Sequence, residues 1–130
     1  MSLSITDFLA LREARPVIDV RSEGEFLAGH ISGSINIPLL NNIERIAVGT
    51  DYKLKGKAEA IKTGFRLVGP RLEEIVSEAL SVSNNQRPLV YCWRGGMRSR
   101  NFCGFLQMAG ASSDLLSGGY KSYRQLATTY

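Results

Sequence analysis

One histidine, two cysteines and one tryptophan are all that this 130-residue chain holds of the residue types that most often bind metals, form disulfides or stack on ligands. A lone histidine cannot by itself build a metal site, and two cysteines in a chain of this size do not make a disulfide scaffold. The expectation is a protein with no metal and no tightly bound cofactor, from a reducing compartment that suits a cysteine performing chemistry. No uninterrupted apolar segment is long enough to span a bilayer. The opening Met1-Ser2-Leu3-Ser4 also lacks the basic start and apolar stretch of a signal peptide. A cytoplasmic protein without a membrane partner is therefore expected, and Ser2-Leu3 is compatible with a vector remnant ahead of a domain excised from a longer protein. Internal repeats, low-complexity tracts and linkers are lacking as well. At this length the chain accommodates one core, so residues 1–130 are read as a single domain. A net charge of +4 permits a nucleic-acid partner without requiring one.

What is present centres on Leu89-Val90-Tyr91-Cys92-Trp93-Arg94-Gly95-Gly96-Met97-Arg98-Ser99. An apolar strand ends at Cys92, and a helix is expected to begin near Arg98 and Ser99. The glycine pair Gly95-Gly96 lets the backbone fold around the sulfur so that successive N–H groups form an anion-binding nest. Oriented amides, the positive end of the helix, Arg94 and Arg98 all favour a thiolate at Cys92, the nucleophilic form. Cys92 is thus the catalytic candidate, and Trp93, Arg94, Gly95, Gly96, Met97, Arg98 and Ser99 form its loop. Trp93 offers a wall on which a substrate base could stack. Cys103, beside Phe102, Phe105 and Leu106, is read as core and as the cysteine shielded until unfolding.

The apolar pattern alternates strand and helix, which indicates an α/β fold with a central parallel sheet covered by helices on both faces. Residues 7–14 read as a helix stopped by Pro16, with Phe8, Leu9 and Leu11 inward, and residues 16–20 as a buried strand. Ser22 and Glu25 form a capping box at the start of a helical turn. Residues 35–37 make a short strand ended by Pro38. Residues 70–82 place Leu72, Ile75, Val76, Ala79 and Leu80 at helical spacing, opposite Glu73, Glu74 and Glu78. Strands at 89–91 and 115–116 and helices at 99–108 and 120–128 complete the pattern. Asp19 and Arg21 fall at a strand's carboxyl end, the edge where open α/β sheets place their chemistry, and support the loop from behind unless Arg21 merely pairs with Glu25. His30 is read as fixing a turn.

Between Pro38 and Pro70 lies a long basic insertion, with Arg45, Lys53, Lys55, Lys57 and Lys62 as candidate RNA contacts and Tyr52 among them. Basic residues interleaved with an aromatic suit a phosphate backbone and a stacked base, although such runs are more often plain solvated faces.

Val17-Ile18-Asp19-Val20-Arg21, Glu25-Phe26, Gly29-His30-Ile31, Gly33-Ser34 and Asn36-Ile37-Pro38, taken with the Cys92 loop, resemble the rhodanese superfamily. The form Cys-x-Arg-Gly-Gly-Met-Arg-Ser, the insert and Ser117-Gly118-Gly119-Tyr120-Lys121-Ser122-Tyr123-Arg124 resemble more closely the rhodanese domain of the tRNA 2-selenouridine synthase family. That resemblance implies a transferase carrying sulfur or selenium on Cys92, selenophosphate or another sulfur or selenium donor as co-substrate, and tRNA as partner. In that family sulfur of 2-thiouridine at the wobble position is replaced by selenium, and the chain continues into a P-loop nucleotide-binding domain. No G-x-x-x-x-G-K-S/T occurs here, so such a domain would act in cis beyond this piece or in trans. Five residues separate Cys92 from Arg98, one more than in the common sulfurtransferase pattern and equal to the spacing of cysteine phosphatases. A phosphatase, a stand-alone thiosulfate-type sulfurtransferase and a noncatalytic docking or RNA-binding module therefore stay open as alternatives.

Overall fold

A computed structural model describes residues 2–129. Its centre is a parallel sheet of five short strands: β1 (Ser2–Leu3), β2 (Val17–Asp19), β3 (Ile35–Asn36), β4 (Leu89–Tyr91) and β5 (Asp114–Leu116), in the order β1-β5-β4-β2-β3. Register is set from the middle outward, with Ile18 opposite Val90 on one side and Ile35 on the other, and Val90 opposite Leu115. Strands β2 and β4 are buried at every position, as expected where helices cover both faces.

Alternation along these two strands sorts side chains onto two cores. Ile18, Val20, Val90 and Cys92 face one side, where they meet Val68, Ile75, Ala79, Phe102 and Leu106. These come from α4 (Lys57–Val68), α5 (Leu72–Ser83) and α6 (Met97–Met108). Val17, Leu89 and Tyr91 face the other side with Phe8, Ile31 and Leu116, against α1 (Ile5–Leu11) and α7 (Gly119–Thr129). The catalytic candidate and Tyr91 therefore leave the same strand in opposite directions.

Several expected boundaries move for local reasons. Ser4 caps α1 by accepting from the Asp7 amide at 3.2 Å, so that helix starts at Ile5 and closes at Leu11, short of Ala14. Pro70 lies in a 3-10 turn over Gly69–Arg71, and α5 begins only at Leu72, ending where Asn84 adopts a left-handed conformation. Leu80 is 40 % exposed, while Val82 packs on the core in its place. Helix α6 starts two residues before Ser99, at Met97. Ser2–Leu3, to which the sequence assigned no structure, forms the edge strand β1 on β5, because Ser117 N–H and the ladder of Leu115 and Leu116 offer it partners. The basic insertion becomes a helical hairpin, α3 (Asn42–Lys55) and α4, turned at Gly56, whose φ of +94° strains any other residue. Asn41 and Glu44 close a capping box at its start, as Ser22 and Glu25 do for α2 (Glu23–Ala28).

Tyr91 ties the central strand to the turn after α2 through a closed ring of hydrogen bonds. Ile31 N–H donates to Tyr91 Oη (3.0 Å), Tyr91 Oη donates to Ser34 Oγ (2.9 Å), and Ser34 Oγ donates to Ile31 O (2.7 Å). Burial, reinforced by the charge of Asp19, pushes this phenol well above its usual range and keeps it neutral. Tyr91→Phe leaves the buried Ile31 N–H without an acceptor and is expected to cost about 1–3 kcal/mol in urea denaturation. A midpoint equal to the parent's would show that the ring contributes nothing.

Candidate active site

Cys92 follows the last residue of β4, and the loop 92–96 carries the chain into α6. Its sulfur sits beside the first turn of that helix, where the first amides have no partner within the helix. The thiol donates to Ser99 Oγ at 3.1 Å, and Ser99 Oγ in turn donates to Gly96 O at 3.3 Å. When the thiol ionises, the Ser99 hydroxyl can rotate to donate to sulfur, since it is both donor and acceptor. Cys92 lines a cavity of about 290 Å³ with Trp93, Arg94, Gly96, Met97 and Arg98.

Packing holds the loop from outside. The amino end of α7 donates Tyr120 N–H to Cys92 O (2.8 Å) and Lys121 N–H to Trp93 O (2.9 Å). Gly95, at φ +71°, and Gly119, at φ +60°, make the approach possible. A Cβ on Gly119 would stand 2.5 Å from Cys92 O, and one on Gly95 3.0 Å from Leu116 O.

Asp19 and Arg21 support this arrangement from the opposite core. Arg21, 2 % exposed, makes a forked contact with Asp19 through Nε (3.1 Å) and Nη2 (2.8 Å), and Nη2 also donates to Gly29 O at 2.6 Å. Its guanidinium lies 4.2 Å from the centre of the Tyr120 ring. Burial opposes that charge, but the bonds and charge of Asp19 outweigh it and raise the guanidinium above its ordinary value. The alternative pairing of Arg21 with Glu25 is not made.

Glu25 instead joins the loop to the insertion. Arg98 donates to it twice, at 2.6 and 3.3 Å, and Arg45 of α3 lies 3.4 Å away. Arg98, expected to face a bound anion, is thus held by a carboxylate, while exposed Arg94 has no side-chain partner among the described residues. The sequence marked Glu25 as a capping residue and as the alternative partner of Arg21. Its tie to the loop was invisible because Arg98 lies 73 residues away.

The other candidates separate. Lys53, Lys55, Lys57 and Lys62 are exposed on the hairpin; Lys55 approaches Asp51 at 4.0 Å and Lys62 pairs with Glu59 at 3.3 Å. Of the five basic candidates in the insertion, Arg45 alone reaches Glu25. His30 is exposed, stacked on Phe26 at 3.7 Å and bonded to Phe26 O at 2.8 Å, so it fixes the turn after α2. Trp93 is half-buried against Tyr120. The two cysteines invert the expected exposure: Cys92 is 3 % exposed, whereas Cys103 is half-buried. Burial nevertheless pushes the Cys103 thiol up, against a hydrogen bond from Ser113. Any preference for reaction at Cys92 therefore comes from its polar setting and not from access. Among the described residues no cluster of histidine, cysteine or carboxylate could hold a metal ion.

Burial opposes ionisation of Glu25, but its bonds with Arg98 and Ser22 lower it from 4.5 to about 2. A depressed carboxylate stabilises the fold fully above its unfolded value and loses that contribution as pH falls from 4.5 toward 2. The full effect is on the order of 3 kcal/mol. Urea midpoints measured through this range should fall steeply for the parent and more gently for Glu25→Gln; parallel curves would contradict the assignment.

The model of the rhodanese-like domain family matches residues 4–126. A tRNA 2-selenouridine synthase of Nitrosomonas europaea is 40 % identical over 126 residues, a match covering 95 % of this chain and 33 % of that protein. The chain thus spans about a third of the length of the curated relatives it matches. A crystal structure of the N-terminal domain of a Clostridium difficile 630 protein, provisionally named an ATP/GTP binding protein, is 41 % identical with a TM-score of 0.88, covering 98 % of both chains. A rhodanese-related protein of Thermoplasma volcanium, 22 % identical with a TM-score of 0.60, covers 95 % of this chain and 90 % of its own, and shares the fold.

Proposed function

Because the chain belongs to the rhodanese-like domain family, we propose that it is a transferase domain that carries sulfur or selenium on Cys92 and delivers it in the conversion of 2-thiouridine to 2-selenouridine in tRNA. The observation that supports this reading most directly is the position of Cys92. It ends the central strand, within 3.1 Å of a hydroxyl in the first turn of α6, on a cavity bordered by Arg94 and Arg98. Similarity to tRNA 2-selenouridine synthases supplies the chemical class of the acceptor.

With a sulfane donor such as thiosulfate, the Cys92 thiolate attacks the outer sulfur. A Cys92 S–S bond forms, the donor's S–S bond breaks, and sulfite leaves with the electron pair, so the enzyme holds a persulfide and no external oxidant is needed. Loop amides and Arg94 offset the negative charge on the terminal sulfur. The selenium branch takes a donor with zero-valent selenium, such as selenosulfate, whose selenium the thiolate attacks as sulfite leaves with the electron pair; selenophosphate, with selenium at the selenide level, does not load Cys92 in this way. The remaining two thirds of the relatives' length would supply the P-loop nucleotide-binding domain, in cis or in trans, and a tRNA substrate places the reaction in the cytoplasm.

Incubation with thiosulfate should add the mass of one sulfur atom to Cys92, removable by cyanide, and Cys92→Ser should take up none. Steady phosphate release from aryl phosphates without any adduct would establish the phosphatase reading that the Cys92 to Arg98 spacing allows.

The hairpin carries the proposed tRNA path through Arg45, Lys53, Lys55, Lys57 and Lys62. Removing the charges of Lys53 and Lys55 should weaken tRNA binding and reduce the slope of log affinity against log salt by about 1 for each phosphate that is no longer neutralised. Filter-binding titrations at several salt concentrations measure both. An unchanged slope would make this face a solvated surface or a docking site for a P-loop domain.

A further inference from the structure

A second cavity, of about 600 Å³, opens beside Trp93. It is lined by Arg21, Arg45, Arg98, Arg124, Trp93 and Tyr120, with Glu25 as its carboxylate. Trp93 and Arg98 border this cavity and the Cys92 cavity alike, so the two adjoin.

The walls differ in chemistry. On one side Tyr120 is held rigid: its ring lies 4.2 Å from the Arg21 guanidinium and its hydroxyl sits so close to Gly29 that a Cβ there would be 2.6 Å away. Trp93 leans on it with ring centres 5.9 Å apart and a tilt of 39°. Two aromatic rings fixed before any ligand arrives form a stacking surface with little entropy left to lose. On the other side, Arg21 is matched by Asp19, and Glu25 is shared by Arg98 and Arg45. Arg124 of α7 is exposed and makes no side-chain hydrogen bond or ion pair among the described residues. Positive charge is therefore in surplus at the rim, within one cavity's width of the aromatic pair.

We propose that this cavity is a nucleotide subsite, taking the base of one nucleotide on Trp93 and Tyr120 and an adjoining phosphate on Arg45 and Arg124, beside the sulfur of Cys92. It rests on the proposed tRNA substrate and adds which residues hold the reacting nucleotide. The lysines of the hairpin then only guide the backbone, and Arg124, from an element that the insertion does not include, belongs to the site.

Because Trp93 is the only tryptophan, its emission reports occupancy directly. A 5′-phosphorylated uridine trinucleotide should quench it saturably, more weakly as salt rises, and more tightly than uridine or inorganic phosphate alone. Arg124→Gln and Arg45→Gln should each weaken that binding about tenfold, the worth of one charge-assisted hydrogen bond. Neither residue borders the Cys92 cavity, so their effect separates this site from occupancy beside the sulfur. Arg12→Gln, at a different surface cavity, controls for general charge removal and should match the parent. Circular dichroism confirms that each variant is folded.

No quench, a quench equal for inorganic phosphate and trinucleotide, or affinities untouched by both arginine changes would overturn the subsite. Sulfur loading of the parent at Cys92, followed by mass without nucleotide, tests the underlying reading separately. Loading without a nucleotide-dependent quench removes the subsite and keeps sulfur transfer; quench without loading does the reverse.

Discussion

Two backbone hydrogen bonds, from Tyr120 N–H to Cys92 O and from Lys121 N–H to Trp93 O, fasten the reactive loop to the amino end of α7. A loop of five residues between a strand and a helix has few internal interactions with which to hold a shape, so its geometry has to come from outside. The seam is tight enough that Gly119 admits no side chain. Once the carbonyls of Cys92 and Trp93 are turned toward α7, the sulfur is directed to the opposite side, toward Ser99 and the start of α6. The rest of the site follows from that orientation.

Charge is organised around the same seam. Arg21 is almost completely buried, and a buried guanidinium is tolerated only when its donors are satisfied. Asp19 takes the Nε hydrogen and one on Nη2, Gly29 O takes another from Nη2, and the face of the cation rests on Tyr120. Asp19 and Arg21 thus stand one residue behind the chemistry: they fix Tyr120, which fixes the loop. Glu25 does the equivalent work on the other side of Trp93. By binding Arg98 and Arg45 together it links the helix after the loop to the insertion.

The insertion shows how a basic run acquires a direction. Its lysines point to water from a hairpin, and two of them approach acids of their own helices. Arg45, in the first turns of α3, is carried to the cleft because the first turns of α2 and α3 are joined: Asn42 N–H donates to Glu23 at 2.9 Å and Gly24 N–H to Asn42 Oδ1 at 3.0 Å. Basic residues of equal charge therefore differ in function by position on the hairpin.

Local patterns in the chain were sufficient to determine the alternating α/β order, the buried strands β2 and β4, the Ser22–Glu25 cap and the candidacy of Cys92, because each depends on residues within a turn or a strand of one another. The edge strand β1 was illegible, since two residues carry no periodicity and become a strand only when β5 provides a ladder. Tertiary structure alone decided that Glu25 pairs with Arg98 rather than Arg21, that Cys92 is more buried than Cys103, and that Tyr120 packs on Trp93 while Arg124 lines the same cavity. These relations join residues far apart in sequence through the register of a parallel sheet, whose crossovers bring distant segments to one edge without leaving a local mark on the residues that meet there.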